Sequence, residues 1–529
     1  EPIAVNVNFY GVLPGSWGAQ DLTQAQSAGV VSYFLLRFRQ KVLDGTLQPE
    51  KMAGQPLCMA QYRRMFSVCR VPGEHTDELV EWEPRDYRHI IVLLENKFYA
   101  FDVLDKYGNI MSPDQLTIQF QRVLQEGVTR FEFDQEAPLS KLTGTNRTKW
   151  AQAREHLQEL DPTNAKNLDL IEKAVFHVSL DQTTPAPDDL AARARACLHG
   201  DGSNKWFDKP VTLVQFKNGK GGTNGEHTWA DAMVVVRAFD LAMEEADEHI
   251  SKYGPPRLPT AEDLAATDLV SPTRVTFKLD THLQGAIEEA SADLFQLVST
   301  VDLDVVEFNH FGKGFFKRYR LIADSVCQMA IQLAWARLHP GEIAATYESA
   351  HTRLFYHGRT ETIRTTCKES IAFTDAMCSK TATDKEKHEA LQAAMSAHRE
   401  TAKDALLGQG VDRHFLGLYV AAVMSGMDPL PSLFTDKAFL ASRKYRLSTS
   451  NISMKSSPMF GGFMAMHEDG YGICYSMRDE LLKFSVTANN KDPNTSASRF
   501  CRALEQALID IQKVCLSRSV IYVAGASKL

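Results

Sequence analysis

Apolar positions along this 529-residue chain follow two periods, one of about two residues and one of about 3.6, and the alternation between them outlines the elements. From Arg88 to Asp105 the run RHIIVLLENKFYAFDVLD places two apolar stretches around Glu-Asn-Lys, which predicts a hairpin on a buried sheet. AVFHVSLD, from Ala174 to Asp181, reads as a further buried strand. The segment from Pro210 to Ala246 passes from strand to helix near Asp231. Helical spacing covers Thr281 to Ser299 and Ile322 to Leu338, and Asp384 to Leu407 is a charged, Ala-rich helix. Sheet returns in MFGGFMAMHEDGYGICYSMRDELLKFSVTA, where apolar residues alternate around Gly and Asp-Gly turns, and a last helix is predicted over Asn494 to Leu516.

Between Ile250 and Pro272 lie four prolines and little periodicity, so a domain boundary is expected near residue 270. Both halves then read as strands with covering helices. The predicted class is α/β (α+β) with two comparable domains, 1–270 and 271–529.

Composition narrows the function classes. At 44% hydrophobic and 23% charged, the chain has ample apolar mass for a core, and its longest apolar runs are strand-sized, which excludes a transmembrane helix. The net charge of -8, from 58 basic and 66 acidic residues, argues against a nucleic-acid binder. The nine cysteines are odd in number and form no C-x-x-C pair, which suggests neither a disulfide framework nor a zinc ribbon; no metal is expected, and a reducing compartment fits. The chain starts at Glu1 without Met, so any N-terminal address is unread. It closes on Ser527, Lys528 and Leu529, the tripeptide that a peroxisomal import receptor reads at a free C-terminus, so a peroxisomal location is expected, with a mitochondrial form from a longer N-terminus left open.

Three stretches carry candidate chemistry. In EHTWAD, His227 and Asp231 form H-x-x-x-D after a Gly-rich turn, a pattern suited to a general base with a supporting acid and equally to a core histidine beside a solvated aspartate. In HFGKGFFKRYR, glycines that permit close backbone approach alternate with Lys313 and Lys317, ahead of Arg318 and Arg320. That spacing is not an ATP-type P-loop; it reads as a phosphate site or as a solvated basic face. ATYESAHTRLFYHGRTETIR packs Arg353, Arg359 and Arg364 among polar and aromatic residues, as a binding site or an ion-pair lattice would.

Taken in order, these stretches resemble the carnitine/choline acyltransferase family, together with GQPLCMAQYRRMFSVCRVPG, LHGDGSNKWFDK, DRHFLGL, LSTS and DGYGICY. The resemblance covers nearly the whole chain. It implies two similar domains resembling chloramphenicol acetyltransferase, with an active-site tunnel at their interface, and acyl transfer between coenzyme A and a quaternary-ammonium alcohol. No permanently bound cofactor is implied, since coenzyme A or acyl-CoA is a co-substrate, and a monomer is expected. His227 matches the catalytic base, Asp231 its supporting acid with Arg359 as an expected ionic partner, and Ser450 the hydroxyl that stabilises the oxyanion. Lys313, Lys317, Asp324, Arg399 and Asn451 match coenzyme A contacts. Tyr347, Ser349, Thr360 and Arg413 match groups that hold the carnitine carboxylate. The choline enzymes carry an uncharged residue at the Arg413 position and an apolar one at Thr360, so L-carnitine is favoured over choline.

Acyl length turns on one register. The short-chain enzymes close the acyl pocket with a methionine where Gly461 aligns here, followed by Phe463, so a broad short- to medium-chain range is expected. Met459 lies two residues upstream, and a small slip would close the pocket and make the enzyme strictly acetyl-specific. A long-chain carnitine enzyme, a choline acetyltransferase and a silent acyl-CoA-binding homologue are the other readings. The chain departs from the family pattern in Ile322 and Ala323 before Asp324, in Lys205 and Pro210 of NKWFDKP, and in Ala465 near the acyl strand. The family's helices before Gly54 are expected to be partly absent or to lie upstream of Glu1.

Overall fold

The hairpin forms as its pattern requires: His89–Leu94 and Lys97–Asp102 pair antiparallel, and Glu95 and Asn96 between them both adopt positive φ, at 49° and 65°. Two positive-φ residues give the turn a twist that matches the twist of the flanking strands. The structure is a computed structural model and describes residues 1–14, 20–66, 68–130, 136–266, 268–456 and 458–526; the Ser527-Lys528-Leu529 tripeptide lies outside the described residues. The chain separates into two compact units.

The first unit comprises Glu1–Glu50, Met59–Thr300 and Met454–Phe463. Its eight-stranded sheet runs, in spatial order, Thr273–Val275, Lys97–Asp102, His89–Leu94, His177–Asp181, Thr212–Phe216, Gly221–Gly225, Phe9–Val12 and Phe460–Phe463. The His177–Asp181 strand pairs in parallel with both neighbours, and the other pairings are antiparallel. The predicted helix over Thr281–Ser299 is present and starts where the Asp280 carboxylate accepts a 2.9 Å hydrogen bond from the Leu283 amide.

That helix corrects the boundary expected near 270. Leu283, Ile287 and Ala290 are buried with Trp150 and Trp206 in the first unit's core, and Thr273–Val275 pairs with Lys97–Asp102, so the first unit continues to Thr300. The proline-rich segment is therefore a connection within one unit. Apolar residues beyond it gain more from the existing core than they would outside it.

The second unit comprises Lys51–Cys58, Val301–Ser453 and Met464–Leu529. Its six-stranded sheet has the order Val301–Phe308, Leu482–Asn489, Tyr471–Met477, Tyr445–Asn451, Ala345–His351 and Thr360–Ile363. Tyr445–Asn451 is parallel to both neighbours. The helices Ala323–Leu338, Asp384–Leu406 and Ala497–Ala526 share one core with Leu447, Ile473, Tyr475, Phe484 and Val486. Because side chains alternate across a strand, the residues between these positions point to the opposite face. Each unit is thus a mixed sheet with covering helices, as the α/β reading anticipates. Among the described residues no helix is long and apolar enough to cross a membrane.

Candidate active site

His227 follows the Gly221–Gly225 strand in the first unit and is half-buried. Gly225 pairs with Phe9, and a Cβ on Gly225 would lie 2.6 Å from the Phe9 ring, so only glycine lets that ring cover the strand end. The same ring meets the His227 imidazole edge to face at a centroid distance of 5.2 Å. The imidazole is thereby packed on one side by an aromatic edge. Asp231 is the N-cap of the Ala232–Tyr253 helix, but its carboxylate makes no capping hydrogen bond. Instead Gln61 grips it twice: Gln61 Nε2 donates to Asp231 Oδ2 at 3.3 Å, and the Asp231 amide donates to Gln61 Oε1 at 2.9 Å.

The residues flanking His227 are held equally firmly. Glu226 is 1% exposed and accepts from the Thr228 amide at 2.9 Å, the Thr228 hydroxyl at 2.6 Å and Arg70 Nη1 at 3.0 Å. Gln61, Arg70 and Glu226 are not singled out by motif spacing. Gln61 and Arg70 lie in the GQPLCMAQYRRMFSVCRVPG stretch and Glu226 directly precedes His227, which is the signal that marks them.

In the second unit, strand alternation sorts the candidates. Thr346 and Glu348 point toward the helices, where Gln332 donates to Thr346 at 2.8 Å and His398 Nε2 lies 2.6 Å from Glu348 Oε2. Tyr347, Ser349 and Ser450 therefore occupy the other face, as does Thr360, which pairs with His351. Arg413 joins this face from the Asp412–Met424 helix. Its Nη2 reaches the Thr360 hydroxyl at 3.0 Å and the Tyr347 hydroxyl at 3.4 Å, its Nε donates to the Thr360 carbonyl at 3.1 Å, and the guanidinium lies 5.8 Å from the Tyr347 ring centre. The helix start that carries it is anchored by Arg364, whose Nε and Nη2 hold the Asp412 carboxylate at 2.9 and 2.6 Å. Part of the arginine-rich stretch is thus an ion-pair lattice and part converges on Arg413. Arg359 is half-buried, and its carbonyl accepts from the Thr352 amide at 2.8 Å.

The coenzyme A candidates divide. Lys313 and Lys317 stand on the short Lys313–Arg318 helix, and Lys317 is exposed and donates to Asp479 at 2.9 Å, which holds the Asp479 carboxyl below its usual range. The glycines before them serve the chain itself: a Cβ on Gly312 would come within 2.3 Å of the Arg478 carbonyl, and the Lys313 and Gly314 amides donate to Arg478 and Asp479. Close approach, expected for a ligand, is here an approach of the Arg478–Leu481 turn. Asp324 and Asn451 are joined, Asn451 Nδ2 donating to Asp324 Oδ1 at 2.8 Å, and the Tyr475 hydroxyl donates to the same oxygen at 2.7 Å. Arg399 is exposed beside His398.

Asp324, Glu348 and His398 present ligand atoms within 4.8 Å of one another. Both His398 nitrogens are nevertheless committed, Nε2 to Glu348 and Nδ1 to Ser325 Oγ at 2.8 Å. Burial pushes the Glu348 carboxyl up to about 7, and Glu348 in turn raises His398 against the opposing effect of its own burial. This is a buried hydrogen-bonded pair beneath the strand that bears Tyr347 and Ser349.

The strand Phe460–Phe463, which carries the acyl-pocket candidates Gly461 and Phe463, belongs to the first unit. Gly461 faces Gly11 across the Phe9–Val12 pairing, and Gly462 faces Tyr10. A Cβ on Gly11 would lie 2.6 Å from the Met459 methyl, so Met459, itself 3% exposed, covers the space beside the Gly11–Gly461 pair. On the other face the Tyr10 ring covers Gly462, 2.6 Å from where its Cβ would be. Phe463 pairs with Phe9, the residue that packs on His227.

Comparison with known proteins identifies the family of the chain as a whole. A family model described as choline/carnitine O-acyltransferase matches residues 1–506. The chain is similar to the carnitine O-acetyltransferase of Columba livia, 33% identical over 100% of this chain and 82% of the relative. It is similar to the peroxisomal carnitine O-octanoyltransferase of Bos taurus, at 32% identity over 97% and 84% of the two chains. The liver isoform of Homo sapiens carnitine O-palmitoyltransferase 1 is also 32% identical, over 96% of this chain and 67% of its own. Among solved structures, one described as the molecular basis for condensation domain-mediated chain release from the enacyloxin polyketide synthase aligns over 96% of this chain and 78% of its own, at 10% identity and a TM-score of 0.35.

Proposed function

Because the chain belongs to the choline/carnitine O-acyltransferase family, we propose that it transfers an acyl group reversibly between coenzyme A and the hydroxyl of L-carnitine, with His227 as general base. In this reading the imidazole takes the hydroxyl proton as the carnitine oxygen attacks the thioester carbonyl. The negative charge that develops on the carbonyl oxygen is met by the Ser450 hydroxyl. Collapse of the tetrahedral intermediate breaks the carbon–sulfur bond, and the imidazolium returns its proton to the departing thiolate. Asp231, steadied by Gln61, supports the base. Lys313 and Lys317 meet the phosphates of coenzyme A, with Asp324 on the adenine side and Arg399 and Asn451 making further contacts.

The observation that carries the choice of carnitine is the convergence of Arg413, Thr360 and Tyr347. A guanidinium flanked by two hydroxyls is a ready site for a carboxylate, which carnitine has and choline lacks. Acyl length is the finer step, since relatives named for acetyl, octanoyl and palmitoyl transfer are almost equally similar. Gly461 brings no side chain to its strand and the Met459 methyl covers Gly11 opposite it, which supports a short- to medium-chain range with Met459 as the limit. Initial rates with acetyl-, octanoyl- and palmitoyl-CoA at fixed carnitine, followed by thiol release, test this. No thiol release with any of the three sinks the catalytic reading, and a maximum at palmitoyl sinks the length assignment.

A further inference from the structure

We propose that Glu226, clamped by Arg70, is a positioning residue for His227, fixing the backbone on both sides of the imidazole. The inference rests on the reading of His227 as the base. The Glu226 carboxylate belongs to the residue before His227 and binds the amide and hydroxyl of the residue after it, so a single side chain closes the loop around the histidine. Arg70 donates from Nη1 to both Glu226, at 3.0 Å, and the Thr228 hydroxyl, also at 3.0 Å. All three members of the clasp are therefore locked together.

Arg70 does not stand alone. Its Nε binds Asp77 at 2.7 Å, Asp77 accepts from Arg147 Nε at 2.8 Å, and Arg147 Nη1 donates to Asp208 at 2.7 Å. Asp208 ends the chain by accepting from Trp150 Nε1 at 2.8 Å, inside the first unit's core. Alternating charges thus connect the loop of His227 to a rigid interior. Such buried ion networks contribute little net stability, because taking the charges out of water offsets their mutual attraction. What they supply is one fixed geometry, and proton transfer depends on geometry: a misplacement of about 1 Å costs roughly 100-fold in rate. Phe9 holds the ring from one side and Glu226 holds the main chain that carries it.

The test uses the full chain and four variants, with initial rates on acetyl-CoA and carnitine and circular dichroism to measure the folded fraction. Glu226→Gln keeps the shape and removes the charge; Arg70→Lys keeps the charge and removes the forked donor that bridges Glu226 and Asp77. Both are expected to lower kcat by roughly 100-fold per folded molecule, with both KM values within about twofold of the parent. His227→Ala gauges the underlying reading. Arg154→Lys weakens an unrelated ion pair, Arg154 with Glu172, and is expected to keep the parent kcat. Parent-like kcat in folded Glu226→Gln and Arg70→Lys, alongside a dead His227→Ala, overturns the inference and spares the base. An equal loss in Arg154→Lys also overturns it. An active His227→Ala overturns the base assignment itself.

Discussion

Arg413 Nη2 lies 3.0 Å from the hydroxyl of Thr360, so the cation proposed to meet a carboxylate is oriented by a strand residue of the protein itself. Preorganisation of this kind lowers the ordering cost of binding. Arg413→Asn removes the charge-assisted bonds, each of which contributes about 1.5–3 kcal/mol, so the carnitine KM should rise by roughly 10- to 150-fold. Use of choline should improve. An unchanged carnitine KM in steady-state kinetics would remove the carboxylate assignment.

Met459→Ala should shift the acyl preference toward longer chains. Its methyl occupies the space beside Gly11 and Gly461, and each methylene that gains burial there is stabilised by about 0.8 kcal/mol, or about fourfold. The ratio of kcat/KM for octanoyl-CoA to that for acetyl-CoA should therefore rise by at least ~10-fold. If the ratio stays constant, this methionine is not the wall of the pocket.

His398→Ala should destabilise the second unit. It strips the 2.6 Å His398 contact from Glu348, which is 3% exposed and keeps the weaker bond from the Thr365 hydroxyl at 3.1 Å, and leaving one half of a buried pair costs about 3–5 kcal/mol. A fall in melting temperature of roughly 6–20 °C is expected by calorimetry. A melting temperature equal to that of the parent protein would show that the pair contributes no local stability.

Acid should weaken the first unit through its buried histidines. Burial lowers His199 to about 4, and it also lowers His89 and His177. Each is a base with a depressed pKa in the folded state, so between pH 6.5 and 4 the unfolded chain takes up a proton that folded His199 refuses. Stability attributable to His199 is therefore intact above pH 6.5 and falls as pH drops toward 4, by up to ~3 kcal/mol. His199→Gln should flatten that part of the pH–stability profile in denaturant titrations at pH 7, 6 and 5. An identical slope in parent and variant would exclude His199 as a source.

Much of this was legible from local pattern. The helices Thr281–Ser299 and Asp384–Leu406 and the His89–Asp102 hairpin follow from periodicity, caps and turn residues within a few positions of one another. Tyr347 and Ser349 share a face for the same reason. Long-range pairs left no such trace. Gln61 and Asp231 are 170 positions apart and Arg70 and Glu226 are 156 apart, so nothing in either neighbourhood announces the other. The misplaced boundary has a related cause. Prolines marked a break in local structure, whereas the unit continues wherever the next apolar face finds an existing core, as Leu283 and Ile287 do.

The strand Ala345–His351 sends Thr346, Glu348 and Ala350 to the interior and Tyr347, Ser349 and His351 to the opposite face. Its tolerance to sequence change is accordingly lopsided. A conservative exchange at one position alters one role, but an insertion or deletion of a single residue slides every later side chain onto the wrong face. Glu348 would then be delivered to the face proposed to hold the carboxylate, as a repelling charge, while a tyrosine or serine took its place against His398. Length in this strand is therefore under tighter constraint than the identity of any single residue in it.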